Sequence, residues 1–310
     1  MNLTQRQLRM FVTTAATGNI SRASEALHIS QPALTRALHA FEQQMGAPLF
    51  ARTTRKLALT PEGLQFLPTA QRLLHDLDAA AQALQARATG LQGRVTLAVG
   101  SAFGATLLPA MLGAFRKTHP GVQVSVLDDN SEGITRRVRQ AEVDLGIGTP
   151  VGDIGALDCQ RLLSAQLGLL ANPAHFPLKA KMSAADVARL PLLKEGADTS
   201  IMQVLRLQGS AVVAQMDSGI EVSSLSIQLA LARAGVGVAV LSALGASHRD
   251  AQGLRFVPLR PPAQRELFLM RRRDRPASVA ERALAAAIWQ GLSAEGLLPG
   301  VRLAAGSSDD

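Results

Sequence analysis

The sequence predicts an α/β protein in three parts: a small N-terminal helical unit, one long helix, and a larger C-terminal unit of two α/β lobes. Three observations support this prediction. Apolar residues recur at helical spacing through residues 1–60. A regular apolar seam follows over residues 61–89. From residue 93 onwards, short strand-like runs alternate with helical patterns, which is typical of a parallel α/β sheet.

Composition and charge limit the classes of protein to which the chain can belong. Its 310 residues suffice for two or three domains. Hydrophobic residues make up 47%, so a packed core is expected. The net charge is +8, and the first 90 residues carry nine Lys and Arg against five Asp and Glu. This excess is compatible with a polyanionic partner but does not require one.

Cysteine usage and apolar stretches bear on the compartment. Cys159 is the single cysteine, so neither an intramolecular disulfide nor a multi-cysteine metal site is expected, and no metal is assigned. The N-terminal segment lacks the apolar core of a signal peptide. The stretch 229–246 is interrupted by Arg233 and by glycines, which makes it too broken for a membrane span. We therefore expect a soluble, cytoplasmic protein with no membrane partner.

The first two helices are predicted from apolar spacing and capping residues. One face of the first helix consists of Leu8, Phe11, Val12 and Ala15. Gly18 ends that helix. Ser21 is predicted to cap the second helix. The inner side of the second helix is predicted to be Ala23, Ala26 and Leu27. The connection at 28–30 is short enough for a helix-turn-helix.

A third helix is predicted to begin after a Ser30 cap, with Pro32 in its first turn, and to end at Gly46. Its buried stripe is Leu34, Ala37, Leu38, Phe41 and Met45. The opposite face presents side chains that suit base edges and phosphates: Gln31, Ala33, Thr35, Arg36 and His39. A solvated helix face is the alternative interpretation. The capped two-helix spacing before this helix favours DNA reading.

A basic hairpin follows Pro48. Leu57 and Leu59 alternate with polar positions, as in a strand. The predicted contact residues of the hairpin are Arg52, Thr53, Arg55 and Lys56. A basic hairpin beside a recognition helix has the build of a wing that reaches phosphates or the minor groove. A solvated turn is the alternative, but the position directly after the helix favours phosphate contact.

Several motifs stand at fixed spacing between Leu8 and Thr60. They are Ala23-Ser24-Glu25-Ala26-Leu27, Ser30-Gln31-Pro32-Ala33-Leu34-Thr35, Phe41-Glu42, Gly46-Ala47-Pro48-Leu49-Phe50 and Leu59-Thr60-Pro61-Glu62-Gly63. Together they resemble the N-terminal domain of LysR-type transcriptional regulators. The resemblance implies a winged helix-turn-helix over residues 1–60 that binds double-stranded DNA. It further implies that these residues lie at the DNA: Gln31, Pro32, Thr35, Arg36 and Arg52.

Heptad spacing predicts a linker helix over residues 61–89. The seam consists of Leu67, Ala70, Leu74, Leu77, Ala81, Leu84 and Ala88. Pro68 lies early in it, so a kink or a fresh start is expected there. A helix packed on its own chain is the alternative, but so regular a seam between two globular regions is more typical of a dimer contact. In the resembling family this helix pairs antiparallel, which implies a homodimer and a homotetramer as the larger assembly.

Residues 90–300 are expected to form an effector-binding domain that follows a hinge at 90–93. Strands are expected at 95–99, 122–127, 143–147, 167–170, 192–193, 236–241 and 267–270. Helices are expected at 107–116, 133–141, 183–189, 199–207, 223–234 and 277–291. Lobe I is assigned 93–162 plus 265–300, lobe II 163–264, and a flexible tail 301–310.

Local matches such as Leu108-Pro109 and Ala234-Gly235-Val236-Gly237 resemble the effector-binding half of LysR-type regulators. That half shares the two-lobed fold of periplasmic solute-binding proteins. Ligands of open α/β sheets bind beyond the carboxyl ends of the strands. This rule selects Ser101, Ala102, Phe103, Asp129, Thr149, Thr199, Ser200, Ser223 and Ser224. Their hydroxyls and nearby helix N-termini suit a small organic anion, although Ser and Thr before a helix also serve as caps. Asp128, Asp129 and Glu195 would instead favour an amine.

No catalytic motif stands out. The segment 100–104 is near a serine nucleophile turn but is not G-x-S-x-G, and 235–237 lacks the third glycine of a dinucleotide loop. We therefore expect no enzyme and no cofactor other than a small-molecule effector. The leading hypothesis is a sequence-specific transcription regulator of the LysR type, controlled by an effector bound between the lobes. The alternative is a solute-binding module whose N-terminal domain serves only assembly.

Overall fold

The computed structural model describes residues 3–52, 57–89, 92–197, 199–216 and 219–304, without the side chains of residues 52, 75 and 78–89. The chain divides into two compact units: Met1–Ala88 with Gln140–Glu142, and the remainder. Each unit has its own hydrophobic core. No helix in the described ranges is long and apolar enough to cross a membrane.

The first unit contains the helices and the hairpin that the sequence predicts. Its elements are α1 Gln5–Thr17, α2 Ile20–Ala26, α3 Gln31–Met45, β1 Phe50–Arg52, β2 Leu57–Leu59 and α4 Pro61–Thr89. Helix α1 ends at Gly18 and α3 ends at Gly46, both in the left-handed conformation that glycine adopts without strain. The Ser30 side chain accepts from the backbone N–H of Ala33, which confirms the predicted cap of α3.

Helix α2 differs in detail from the prediction. Asn19, not Ser21, caps it: the Asn19 Oδ1 accepts from the N–H groups of Ser21 at 2.8 Å and of Arg22 at 3.2 Å. Ala26 is exposed, and Ser24 takes the buried position instead. A buried serine is tolerated here because its hydroxyl donates to the carbonyl of Ser21 at 2.8 Å.

Four phenylalanines join the elements of the first unit. Phe11 of α1 is fully buried. Its ring centroid lies 6.1 Å from that of Phe41 in α3, 5.5 Å from Phe50 in β1 and 5.4 Å from Phe66 in α4. Aromatic pairs at these separations stabilise beyond their buried area, by about 0.5–1.5 kcal/mol each. One cluster therefore fixes α3 and the hairpin to the rest of the unit.

The start of α4 is tied to the base of the hairpin. Thr60 Oγ1 accepts from the N–H of Gly63 at 3.0 Å and donates to the carbonyl of Pro48 at 2.7 Å. A Cβ on Gly63 would lie 2.2 Å from the carbonyl oxygen of Leu49. Only glycine permits this approach of the helix to the strand.

A kink or a fresh start was expected at Pro68, and the fresh start is wrong, because helix α4 runs from Pro61 to Thr89 without a break. Proline removes one helical hydrogen bond, and the rest of this 29-residue helix continues past it.

The apolar seam of α4 serves its own chain at its beginning. Leu67, Ala70 and Leu74 pack against the first core. This corrects the assignment of the whole seam to a dimer contact, because heptad spacing does not reveal whose core a helix face covers. Leu77 of the seam is 48% exposed, and its neighbour Leu73 is 41% exposed. The seam side chains from residue 81 onwards lie outside the described side chains.

The second unit carries the strand and helix alternation. Its strands are β3 Gly93–Val99, β4 Val122–Asp128, β5 Leu145–Gly148, β6 Leu157–Ala171, β7 Ala239–Ser242, β8 Arg255–Pro258, β9 Gln264–Arg272 and β10 Val301–Leu303. Its helices are α5 Ser101–Thr106, α6 Leu108–Thr118, α7 Ser131–Arg139, α8 Ala184–Val187, α9 Ser200–Leu207, α10 Val212–Gln215, α11 Leu225–Arg233, α12 Ala243–Ala246 and α13 Val279–Gln290.

The sheet is mixed rather than wholly parallel. The order is β10-β6-β9-β5-β3-β4, with β7 and β8 also paired to β6. Strand β3 is parallel to β4 and β5, whereas β9 runs antiparallel to both β5 and β6. Among the strands that the structure describes, the prediction of a parallel sheet holds for β3, β4 and β5. The reversal arises because β9 returns to the first lobe after the chain has built the second.

Strand β6 spans both lobes. Its first part, through Gln166, pairs with β9, and its last residues, from Leu167, pair with β7 and β8. The sequence predicted only 167–170. The first part was missed because Asp158, Gln160 and Gln166 interrupt the apolar run.

Several smaller expectations need correction. The predicted strand at 192–193 is a single parallel bridge from Leu192 to Val238, and the strand predicted from 236 begins at Ala239. Gly93 belongs to β3 rather than to a hinge, while residues 90 and 91 lie outside the described ranges. Val301–Leu303 forms β10 against β6, so these residues are not a flexible tail.

Candidate DNA-binding surface and ligand cleft

The first half of α3 presents the side chains that the sequence assigns to DNA. Ser30, Gln31, Pro32, Arg36 and His39 are exposed, and Ala33 and Thr35 are half-buried. Residues 31, 35 and 39 are spaced four apart and therefore share one helix face. The first turn of α3 holds no acidic residue, so the positive end of the helix dipole is not neutralised there.

Gln31 is held by the preceding helix. Its Nε2 donates to Ser21 Oγ at 2.6 Å. This bond links the start of α3 to α2 across the turn at residues 27–30. It orders the Gln31 side chain and leaves its Oε1 and second N–H for another partner.

Glu42 connects α3 to the hairpin, and sequence reasoning gave it no role. The Glu42 Oε1 accepts from the backbone N–H of Leu49 at 2.8 Å and of Phe50 at 2.9 Å. Leu49 directly precedes β1 and Phe50 begins it, and the side chains of both residues are buried. A signal was present in the sequence: an acid that directly follows the buried Phe41 and stands before a Gly-Ala-Pro turn.

The hairpin has the predicted antiparallel register, with Phe50 opposite Leu59 and Arg52 opposite Leu57. The predicted contact residues Thr53, Arg55 and Lys56, and the side chain of Arg52, lie outside what the structure describes. Their contact with DNA remains a prediction.

A cleft of about 340 Å³ lies in the second unit. The predicted effector residues that line it are Ser101, Ala102, Asp129, Thr199, Ser200, Ser223 and Ser224. They follow β3, β4 and the two bridged segments around residues 194 and 221, in agreement with the rule for carboxyl ends of strands.

Two predicted effector residues are not at the cleft. Phe103 is fully buried in the core of the first lobe, because residues 101–106 form helix α5 rather than a loop. Thr149 does not line the cleft, and its Oγ1 donates to the carbonyl of Glu266 at 2.7 Å. Both corrections have the same origin, since sequence reasoning selected loop residues without knowing which way each side chain points.

The hydroxyls at the cleft differ in what they already bind. Thr199 caps α9: its Oγ1 accepts from the N–H of Met202 at 3.2 Å. Ser101 donates to the Asp128 carboxylate at 3.0 Å. Ser224 precedes α11 without a side-chain capping bond, so the first N–H groups of that helix are not capped by it.

Further polar side chains line the cleft, and among them sequence reasoning missed Arg265 and Gln228. Asp128 and Glu195, two of the acids expected to favour an amine, also line it. Gln228 Nε2 donates to Glu195 Oε1 at 2.6 Å and to the carbonyl of Val222 at 3.0 Å. The signal for Arg265 was its place in an alternating strand, two residues before the inward Leu267.

Arg265 is a buried cation. Only 8% of the residue is exposed, and its Nε has no hydrogen-bond partner among the described residues. Burial lowers the pKa of Arg265 to about 10, and the Glu195 carboxylate opposes that shift. The guanidinium is therefore charged at neutral pH. No cluster of His, Cys, Asp and Glu that would hold a metal ion occurs in the described part of the chain.

The first unit is a winged helix-turn-helix, and the second is a two-lobed α/β unit with a polar cleft. This combination is typical of DNA-binding regulators that carry their own small-molecule-binding domain.

Comparison with known proteins identifies the family. Residues 5–64 match the model of the bacterial regulatory helix-turn-helix protein, lysR family, and residues 88–293 match the LysR substrate binding domain. The chain belongs to the LysR family of transcriptional regulators.

Relatives agree with this membership, and solved structures share the fold. The chain is 29% identical to the uncharacterized HTH-type transcriptional regulator YfeR of Shigella flexneri, over 92% of each chain. It is 32% identical to the HTH-type transcriptional regulator TfdS of Cupriavidus pinatubonensis, over 79% of this chain and 84% of the relative. A full-length OxyR variant from Pseudomonas aeruginosa shares the fold, with a TM-score of 0.68, 23% identity and coverage of 93% and 95%. CbnR, a LysR family transcriptional regulator, also shares the fold, with a TM-score of 0.67, 21% identity and coverage of 93% of this chain and 99% of CbnR.

Proposed function

We propose that this chain is a sequence-specific transcription regulator whose grip on DNA is set by a small molecule bound between the two lobes. The observation that carries the first half of the proposal is the exposed face of α3, with Gln31, Arg36 and His39 uncovered behind a capped N-terminus. The cleft with its buried Arg265 supports the second half. We assign the chain no catalytic role.

The reading of bases is assigned to α3. Gln31 offers an amide that pairs with adenine, Arg36 a guanidinium that pairs with guanine, and Thr35 a methyl group for thymine. Phosphate contacts are assigned to Ser30 at the helix N-terminus and to the wing residues Arg52, Thr53, Arg55 and Lys56. Pro32, Ala33 and His39 complete the proposed contact surface.

Arg36→Ala is expected to weaken binding to the specific operator by about 1–3 kcal/mol and to relax sequence preference. The reason is the loss of base contacts that phosphate contacts do not replace. Fluorescence anisotropy with the upstream intergenic DNA and with scrambled DNA, at two salt concentrations, measures both effects.

The matched control is Arg6→Ala. It removes the same charge from an exposed position on α1. Equal losses for the two variants would mean that Arg36 acts by charge alone and reads no base. Absence of any salt-sensitive specific binding by the unmodified protein would favour the solute-binding module and defeat the proposal.

Homodimerisation is assigned to the second half of α4, with a homotetramer as the larger assembly. Two DNA readers on one particle gain affinity through effective concentration. The beginning of the seam packs on its own core, so the exposed apolar surface of α4 begins with Leu77 of the seam and with Leu73 beside the seam. The apolar spacing continues in sequence through Ala81, Leu84 and Ala88.

Leu73→Gln combined with Leu77→Gln is expected to weaken self-association by about tenfold or more, because each leucine contributes about 1.5–3 kcal/mol on full burial. Sedimentation equilibrium measures the change. The control is Leu207→Gln, at a leucine that is 88% exposed in the second unit. An unchanged dimer in the double variant, with thermal stability preserved, would remove α4 from the interface.

The proposed signal arises in the second unit. The lobes share the continuous strand β6, so a ligand that contacts both sides of the cleft favours one lobe arrangement over another. It shifts the assembly only as far as its affinities for the two arrangements differ.

A further inference from the structure

We infer that the ligand of this cleft is a small zwitterion that carries one carboxylate and one ammonium group, as a free amino acid does. The inference rests on the proposed effector cleft and adds the chemical class of the effector. It rests on two groups that line the cleft: a buried guanidinium, and a carboxylate that pairs with no cation among the described residues.

The guanidinium of Arg265 supplies the site for the carboxylate. It lines the cleft, is more than nine-tenths buried, and its Nε lacks a hydrogen-bond partner in the described part of the chain. A buried N–H of a cation without an acceptor is costly, and a ligand oxygen relieves that cost. A carboxylate matches the fork of an arginine better than other acceptors do.

Two helix starts that line the same cleft as Arg265 add donors for the carboxylate. Helix α11 has nine residues, and Ser224 at its start makes no capping bond with it. Ser224 and Leu225 both line the cleft, as does Ser200 in the first turn of α9. Backbone N–H groups at the start of a helix favour an anion. These donors strengthen the site that the buried Arg265 defines.

Asp128 supplies the site for the ammonium group. It lines the cleft at the end of β4, and its carboxylate accepts only the hydroxyl of Ser101 at 3.0 Å. No cation pairs with Asp128 among the residues that the structure describes. The neighbouring Asp129, by contrast, is bound by Arg137 Nε at 2.6 Å. An ammonium group on the ligand would donate a charge-assisted hydrogen bond to the Asp128 carboxylate and balance its charge.

Charge and size argue against a simple anion. Glu195 lies close enough to Arg265 to raise its pKa, so a negative charge already stands beside the guanidinium. The second carboxylate of a dicarboxylate would be repelled by Asp128, with which no cation among the described residues pairs. The space of about 340 Å³ accommodates a small molecule, and Ile201, Leu225 and Leu241 give its wall an apolar portion for a side chain.

The test titrates the full-length protein by calorimetry with the proteinogenic amino acids. Each amino acid that binds is compared with the amine that lacks its carboxylate and with the acid that lacks its amino group. The expected result is that both fragments bind about tenfold or more weakly than the parent. Asp128→Asn and Arg265→Lys should each weaken binding of the parent amino acid to a similar extent. Asp153→Asn, which changes an exposed acid outside the cleft lining, should leave that binding unchanged.

Other results overturn the inference in distinguishable ways. In one such result, the acid that lacks the amino group binds as well as its parent amino acid, and Asp128→Asn has no effect. This result would contradict a zwitterionic ligand but remain consistent with the cleft as the effector site. Failure of every amino acid to bind would also contradict a zwitterionic ligand. Binding that survives Asp128→Asn, Arg265→Lys and the bulky Ser223→Trp alike would remove the cleft as the effector site as well. Asp128 and Ser223 are both exposed, so their variants test the site even if Arg265→Lys fails to fold.

Discussion

Phe11→Ala is expected to destabilise the first unit by about 3–5 kcal/mol, which approaches the whole stability of many small domains. Phe11 is fully buried and its ring lies against those of Phe41, Phe50 and Phe66. Removing it opens a cavity at the point where α1, α3, β1 and α4 meet. Specific DNA binding should be lost, because α3 and the hairpin are positioned by this cluster.

Urea unfolding followed by circular dichroism, together with anisotropy on operator DNA, measures the effect. The second unit has a separate core, so ligand binding to it should persist in the variant. Val12→Ala is the matched control, because Val12 lies on the same helix but is only partly buried at the edge of the core. A Phe11→Ala protein as stable as the Val12→Ala protein would contradict the assignment of Phe11 to the centre of this core.

Glu42→Ala is expected to cost about 2–4 kcal/mol and to weaken operator binding, because it leaves two backbone N–H groups without their acceptor. Those groups belong to Leu49 and Phe50, which lead the chain from α3 into the wing. The wing should then lose its fixed position relative to α3. The loss should appear in thermal unfolding and as a faster dissociation from DNA.

Glu42→Gln provides the control that separates hydrogen bonding from charge. Both bonds reach the same oxygen, Oε1, so a glutamine retains the acceptor that accounts for them. We expect Glu42→Gln to recover most of the stability and of the DNA affinity. Equal losses in the alanine and glutamine variants would show that the negative charge, not the geometry, matters.

Much of the first unit could be predicted from the sequence because its signals are local. Capping residues and apolar spacing act within one or two turns, so Ser30, Gly18 and Gly46 fall where the pattern places them. The errors have equally local causes. Both Asn19 and Ser21 are good capping residues, and only the observed start of α2 at Ile20 decides between them.

Sequence reasoning was weaker for the cleft because its residues come from distant parts of the chain. The rule for strand ends found the loops, and it therefore correctly selected Asp129, Ser200 and Ser224, which line the cleft. Arg265 was missed because it lies within a strand, whereas the rule selects loops. Thr149 was included because it directly follows β5, but its hydroxyl donates to the carbonyl of Glu266 and Gly148 lines the cleft instead. The direction in which a loop side chain points does not follow from a pattern of residue types.

The strand shared by the two lobes limits how this protein can be recombined with its relatives. A lobe cannot be exchanged as a module by cutting at a surface loop, because β6 and β9 each run through the body of the sheet. The least disruptive junctions lie where β6 changes partners, between Gln166 and Leu167, and where β9 begins at Gln264. A chimera that joins there inherits one intact pairing register on each side. It receives Arg265 from one parent and the apolar wall of Ile201, Leu225 and Leu241 from the other, so its effector preference should combine features of both parents.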